Sequence, residues 1–70
     1  MNREIEVVEI FLMNINNEEK CKKLNEFLLS CYNEMVAQEE NMRPEVMHNL
    51  AQAYQLAKNY LRKIENNLLD

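Results

Sequence analysis

The chain has 70 residues, 29% of them charged, with a net charge of −4 and a pI near 4.9. That length holds one domain at most, and one that buries only about 60% of its unfolded surface, so regular helix packing, a disulfide, a metal or a partner has to supplement the core. An acidic balance excludes a general nucleic-acid binder, which needs a basic face to displace counterions.

Residues 3 to 15 are the least decided by pattern. Ile5, Val8, Leu12 and Ile15 make a helical stripe, while Ile5, Val7, Phe11, Met13 and Ile15 at period two would line one side of a strand. Nothing else in the chain reads as a strand to pair with it, so a short N-terminal helix is expected. Glutamates interrupt this segment and it lacks a basic leader, so it is expected to be neither a signal peptide nor a membrane span. The protein is therefore expected to be cytoplasmic.

Residues 17 to 41 read as the first long helix. Asn16 or Asn17 offers an N-cap, Asn16 and Glu19 have capping-box spacing, and Glu18 and Glu19 complement the helix dipole. Cys21, Leu24, Leu28, Cys31 and Met35 follow at 3-4-3-4 spacing with Tyr32 beside them, the seam of a helix that packs on another. Phe27 lies off one edge of that seam, and Leu29 and Val36 lie off the other. Lys20, Lys22 and Lys23 form a basic cluster, but Glu18, Glu19 and Glu26 surround it, as on a solvated helix face. Cys21 and Cys31 are about 15 Å apart along such a helix, too far to bond to each other, and read as buried thiols acting as small hydrophobes.

Glycine is absent and Pro44 is the single proline. It biases Arg43 away from helical dihedrals and suits the first turn of a new helix, which is expected over residues 44 to 68. Val46, Leu50, Ala53, Ala57, Tyr60, Ile64 and Leu68 form its stripe. His48, Gln52, Gln55, Asn59, Arg62, Lys63 and Asn66 take the far side. The short link folds the two long helices into an antiparallel hairpin. The expected fold is all-α: an antiparallel helical hairpin with a shorter N-terminal helix, one domain over residues 1 to 70.

Chemistry is sparse. His48 stands alone on the expected outer face, with no carboxylate or thiol at ligand spacing, and Glu39, Glu40 and Glu45 crowd the hairpin tip as solvating residues. No glycine-rich phosphate loop exists, and no Ser-His-Asp or Cys-His pairing is visible. Helical hairpins of the sporulation aspartyl-phosphatase type carry Ser-Gln-Glu-Leu-Asp early in the second helix, where this chain has "MHNLAQAYQLA". No enzyme, cofactor or metal site is expected.

Residues 46 to 57 carry no charge at all. Each long helix offers a wider apolar arc than a hairpin seam needs, and exposed apolar patches with polar rims mark binding sites. Phe27, Met47, Leu50, Ala51 and Tyr54 are the expected partner-binding residues, Tyr and Met being suited to adaptable contacts.

"RPEVMHNLAQAYQLAKNYL" resembles the second helix of the small E-component co-chaperones of type III secretion needles, the YscE/PscE-like family. Pro44 and Glu45 stand at the turn, and Leu50, Gln52 and Leu61 stand where the family repeats Leu and Gln. The likeness spans residues 20 to 66; eleven Asn, and Val46-Met47 where an aromatic-containing pair is usual, depart from it. The resemblance implies a non-catalytic bacterial protein. With a helical-repeat co-chaperone it would keep a needle subunit unpolymerised in the cytoplasm, with no nucleic acid and no membrane as partner. The alternative is a small homo-oligomeric or regulatory adaptor of phage or plasmid type that acts by helix-groove binding.

Overall fold

A computed structural model describes residues 3–41 and 43–69, the side chains of residues 68 and 69 excepted. It is all-α. Helix α1 spans Glu4–Leu12, α2 spans Asn17–Gln38 and runs into a single 3-10 turn over Glu39–Asn41, and α3 spans Pro44–Leu69. Among the described residues there is no strand, so the period-two reading of the first segment does not apply.

Local chemistry sets the helix boundaries. Asn16 is extended, and its side-chain oxygen accepts a 2.8 Å hydrogen bond from the Glu19 N–H, satisfying one of the unpaired donors at the start of α2. α1 ends at Met13, whose extended backbone turns the chain out of the helix. At the other connection the Arg43 carbonyl accepts from the Met47 N–H at 3.1 Å, and Pro44, which has no N–H to leave unsatisfied, opens α3. Neither connection needs a glycine.

α2 and α3 form the antiparallel hairpin, and α1 lies across one side of it. Arg3 reaches Ser30 and Glu34 late in α2, whereas the Lys20 ammonium lies over the Phe11 ring, so α1 runs antiparallel to α2. Arg3 shares a cleft with Val46 and Asn49, and Phe11 stacks on Tyr60 at 4.2 Å between centroids, so α1 runs parallel to α3. The arrangement is an up-down-up bundle.

The core is apolar throughout among the described residues: Val7 and Ile10 from α1, Leu24, Phe27 and Cys31 from α2, and Leu50, Ala53, Ala57 and Ile64 from α3. Cys21, Leu28, Met35, Val46 and Tyr60 are partly buried around it. Leu68, in the stripe expected from sequence, lies outside the described side chains. The seven residues expected on the far side of α3 are all exposed.

Two expectations about side-chain placement are corrected. The stripe of α1 is Arg3, Val7, Ile10 and Phe11, whereas Ile5 and Leu12 are 60% and 73% exposed. Apolar residues surround this helix, so periodicity could not choose a face. The choice falls to tertiary contacts: Arg3 donates to Glu34 at 2.6 Å and Glu6 at 3.2 Å, and its guanidinium lies 4.7 Å above Phe27. Burial disfavours the Arg3 charge, but the two carboxylates outweigh it and raise the pKa, so the guanidinium stays protonated. Tyr32, expected beside the seam, is exposed because it sits one step beyond Leu28 on the rim.

Candidate protein-binding face

The side of the hairpin away from α1 is where apolar side chains meet solvent. On α2 the positions turned toward α1 are Phe27, Ser30 and Glu34, which Arg3 touches. Advancing at about 100° per residue puts Tyr32 roughly 140° around from Phe27. Leu29, Tyr32 and Val36, at i, i+3 and i+7, therefore share the opposite side, and they are 64%, 55% and 52% exposed.

α3 behaves the same way. Asn49 and Tyr60 face α1. Met47, Tyr54 and Leu61 repeat every seven residues on the other side and are half-buried, with exposed Ala51 between the first two. The Lys58 ammonium lies 5.3 Å from the Tyr54 ring centroid, so the lysine stem covers part of the aromatic face and its charge stays in water. Leu28 of α2 and Leu61 of α3 line one open cleft of about 330 Å³ together with Lys58, Arg62 and Glu65. The face is thus one continuous surface from two helices.

The two helices are tied at its centre. The Cys31 thiol donates to the Leu50 carbonyl at 3.2 Å, a buried contact that sets the register of α2 on α3. Burial pushes the Cys31 thiol above its ordinary value; Arg3 opposes this, and Glu34 and Glu6 add to it. Cys21 is also raised, first by burial and then by Glu65 and Glu18. Both thiols are free, and neither is activated as a nucleophile. Among the described residues no three His, Cys, Asp or Glu side chains gather as a metal site. His48 and the tip glutamates are exposed, and no helix is long and apolar enough to cross a membrane.

No protein-family model, no curated protein and no solved structure matches this chain.

Of the five residues expected to bind a partner, Met47, Ala51 and Tyr54 lie on the open face. Phe27 and Leu50 are corrected: at 4% and 2% exposure they are core. Leu50 sits at the centre of the α3 stripe, where closing the hairpin buries it, and α1 covers Phe27. Phe27 and the Met47–Ala51–Tyr54 shoulder lie on opposite sides of the hairpin and cannot form one site. The residues missed are Leu29, Tyr32 and Val36. Their signal was present, because Leu29 and Val36 stand off the seam on the edge opposite Phe27. Which edge α1 would cover was open.

Proposed function

We propose that this chain is a non-catalytic helical binding protein whose hairpin docks a protein partner through the face opposite α1. One observation carries the reading: Leu29, Tyr32 and Val36 stand in solvent on α2, continuous with Met47, Ala51 and Tyr54 on α3. Completing the burial of three half-exposed large side chains gains about 3–5 kcal/mol at ~1.5–3 kcal/mol per fully buried side chain. Association alone costs ~4 kcal/mol or more, so α2 cannot hold a partner by itself. A partner has to cover both helices. That condition is met by a concave helical-repeat surface or by another helical hairpin, not by a single strand or loop.

The resemblance of residues 20 to 66 to the type III needle co-chaperones gives the reading a concrete form. In it the chain is a cytoplasmic, bacterial co-chaperone that pairs with a small helical-repeat protein, and the pair holds a needle subunit unpolymerised. Support comes from the hairpin layout, the proline-led second helix and an apolar face wide enough for a repeat groove. The test is affinity capture of the tagged full chain from its native host, with mass spectrometry of what is retained. Recovery of a helical-repeat protein and a needle-type subunit, both lost with Tyr32→Glu, is the expected result. Retention of both by that variant removes the face from the proposal, and capture without either protein removes the secretion role.

A further inference from the structure

The link between α1 and α2 has the sequence of a helix. Met13, Asn14, Ile15 and Asn16 are non-helical, yet no glycine or proline precedes Pro44, so no residue type forces a break there. Capping holds it instead. The Asn16 side chain accepts from the Glu19 N–H at 2.8 Å, and the Met13 N–H closes the last turn of α1 on the Ile10 carbonyl at 3.2 Å. The other carbonyls ending α1 and N–H groups opening α2 have no partner within their own helices, and a continuous helix would pair both sets.

The apolar spacing also runs through the link. Val7 and Ile10, which face the core from α1, stand in one 3-4-3-4-3 series with Asn14, Asn17, Cys21 and Leu24, and α2 carries the series on. A link that served only as a turn has no need of that period. A straight helix needs it, because only then do the stripes of α1 and α2 fall on one side.

We infer that this chain exchanges α1 with a second copy of itself. The link becomes helical, α1 and α2 join into one helix over residues 4 to 38, and each α1 packs on the other copy's hairpin. The groove fits because it is the one α1 already fills: Arg3 meets Glu34 and Ser30, and Phe11 stacks on Tyr60, now between copies. The folded-back and exchanged forms therefore differ mainly at the link, which is what makes such exchange a low-cost route to a dimer. Since α1 runs antiparallel to α2, the joined helices run antiparallel, with the two-fold axis at the links. Asn14 and Asn17 are then the seam positions nearest the axis, and polar residues at such positions fix register. The face opposite α1 stays open, so this exchange does not rest on the proposed function.

The test is sedimentation equilibrium of the full chain refolded at high concentration, with Asn17→Pro and Asn16→Ala beside it. Asn17 opens α2, where an N–H needs no intrahelical partner, and Asn16 before it is already extended at φ −71°, ψ 166°, so the proline fits the folded-back monomer. In the joined helix the same proline falls mid-helix, and dimerisation should weaken more than a hundredfold. Asn16→Ala removes the cap that holds the break and should strengthen dimerisation about tenfold. The wild-type dimer should also be more helical by circular dichroism than the diluted monomer. A wild type that stays monomeric at the highest concentration overturns the exchange, as does a dimer that Asn17→Pro leaves intact or that Asn16→Ala fails to strengthen. Tyr32→Glu should leave this dimer unchanged while losing the captured partner. Its loss of the dimer would place self-association on the open face and overturn the exchange without touching the proposed function.

Discussion

Phe27→Ala separates core from interface most sharply. The ring is nearly fully buried between α1 and α2, and the Arg3 guanidinium packs over it at 4.7 Å. Truncating a buried Phe to Ala costs ~3–5 kcal/mol through lost transfer energy and the cavity left behind. Loss of the cation–π contact adds ~0.5–1 kcal/mol, while Arg3 keeps its two carboxylates. Alanine's better helix propensity returns only a few tenths of a kcal/mol. Against a total stability of roughly 3.5–10 kcal/mol for a domain this size, the variant should lose about a third of its stability or more, and at the lower end of that range it passes its unfolding midpoint in water. The assay is urea denaturation followed by far-ultraviolet circular dichroism at low chain concentration, where association contributes little. Tyr32→Ser serves as the exposed control and should stay within about 0.5 kcal/mol of the wild type. A loss below ~1 kcal/mol for Phe27→Ala would refute the reasoning, because it would mean that α1 does not cover this edge of the hairpin.

Ala57→Leu should cost ~1–3 kcal/mol, because Ala57 is completely buried and the larger side chain forces α3 away from its neighbours; a shift in urea midpoint reads it. Arg3→Ala removes the bonds to Glu34, Glu6 and Ser30 together. With Glu6 and Glu34 partly solvated the loss is only about 1 kcal/mol, but hydrogen exchange should quicken about fivefold in α1 and little in α2 and α3. Both thiols have folded pKa values raised above the ordinary 9.0, so their stabilisation is complete below that pH and is lost as pH rises through the folded values, the unfolded chain ionising first. The fall in urea midpoint between about pH 8 and about pH 10 should therefore be smaller in Cys31→Ala than in the wild type; an equal fall would show that Cys31 is not held in its buried, protonated form.

How far the sequence carries this fold depends on which residues set each feature. The hairpin is legible because its determinants are local: 3-4 spacing on both helices, Asn16 at one start and Pro44 at the other. The position of α1 is not, because it depends on pairs about thirty to fifty residues apart, Arg3 with Glu34 and Phe11 with Tyr60. The hairpin presents two apolar edges, and periodicity ranks them equally. What distinguishes them is polar: Ser30 and Glu34 stand on the Phe27 edge and can receive an arginine, whereas Leu29 and Val36 flank the other. Reading Phe27 as interface is therefore an error of partner choice between segments, not of helix assignment. The same ambiguity joined Phe27 to Met47, Ala51 and Tyr54 although the hairpin separates them.

Ile5, Val8 and Leu12 run along the outer side of α1 at i, i+3 and i+7, and Ile5 and Leu12 are exposed to much the same degree as Leu29 on the hairpin face. This strip is one helix wide and about 14 Å long for nine residues, with Glu6 and Glu9 interrupting it. Burying three such side chains gains at most ~6 kcal/mol, which association costs consume, and no second helix stands beside it to add area. Scattered apolar side chains of this kind are ordinary on small proteins. Leu12→Ser should accordingly change stability by less than about 0.5 kcal/mol and leave partner capture unaltered. Tyr32→Glu should abolish partner capture with the helices intact. The reversed pattern, measured by affinity capture with the same two variants, would move the binding surface to α1 and leave the apolar hairpin face without a role.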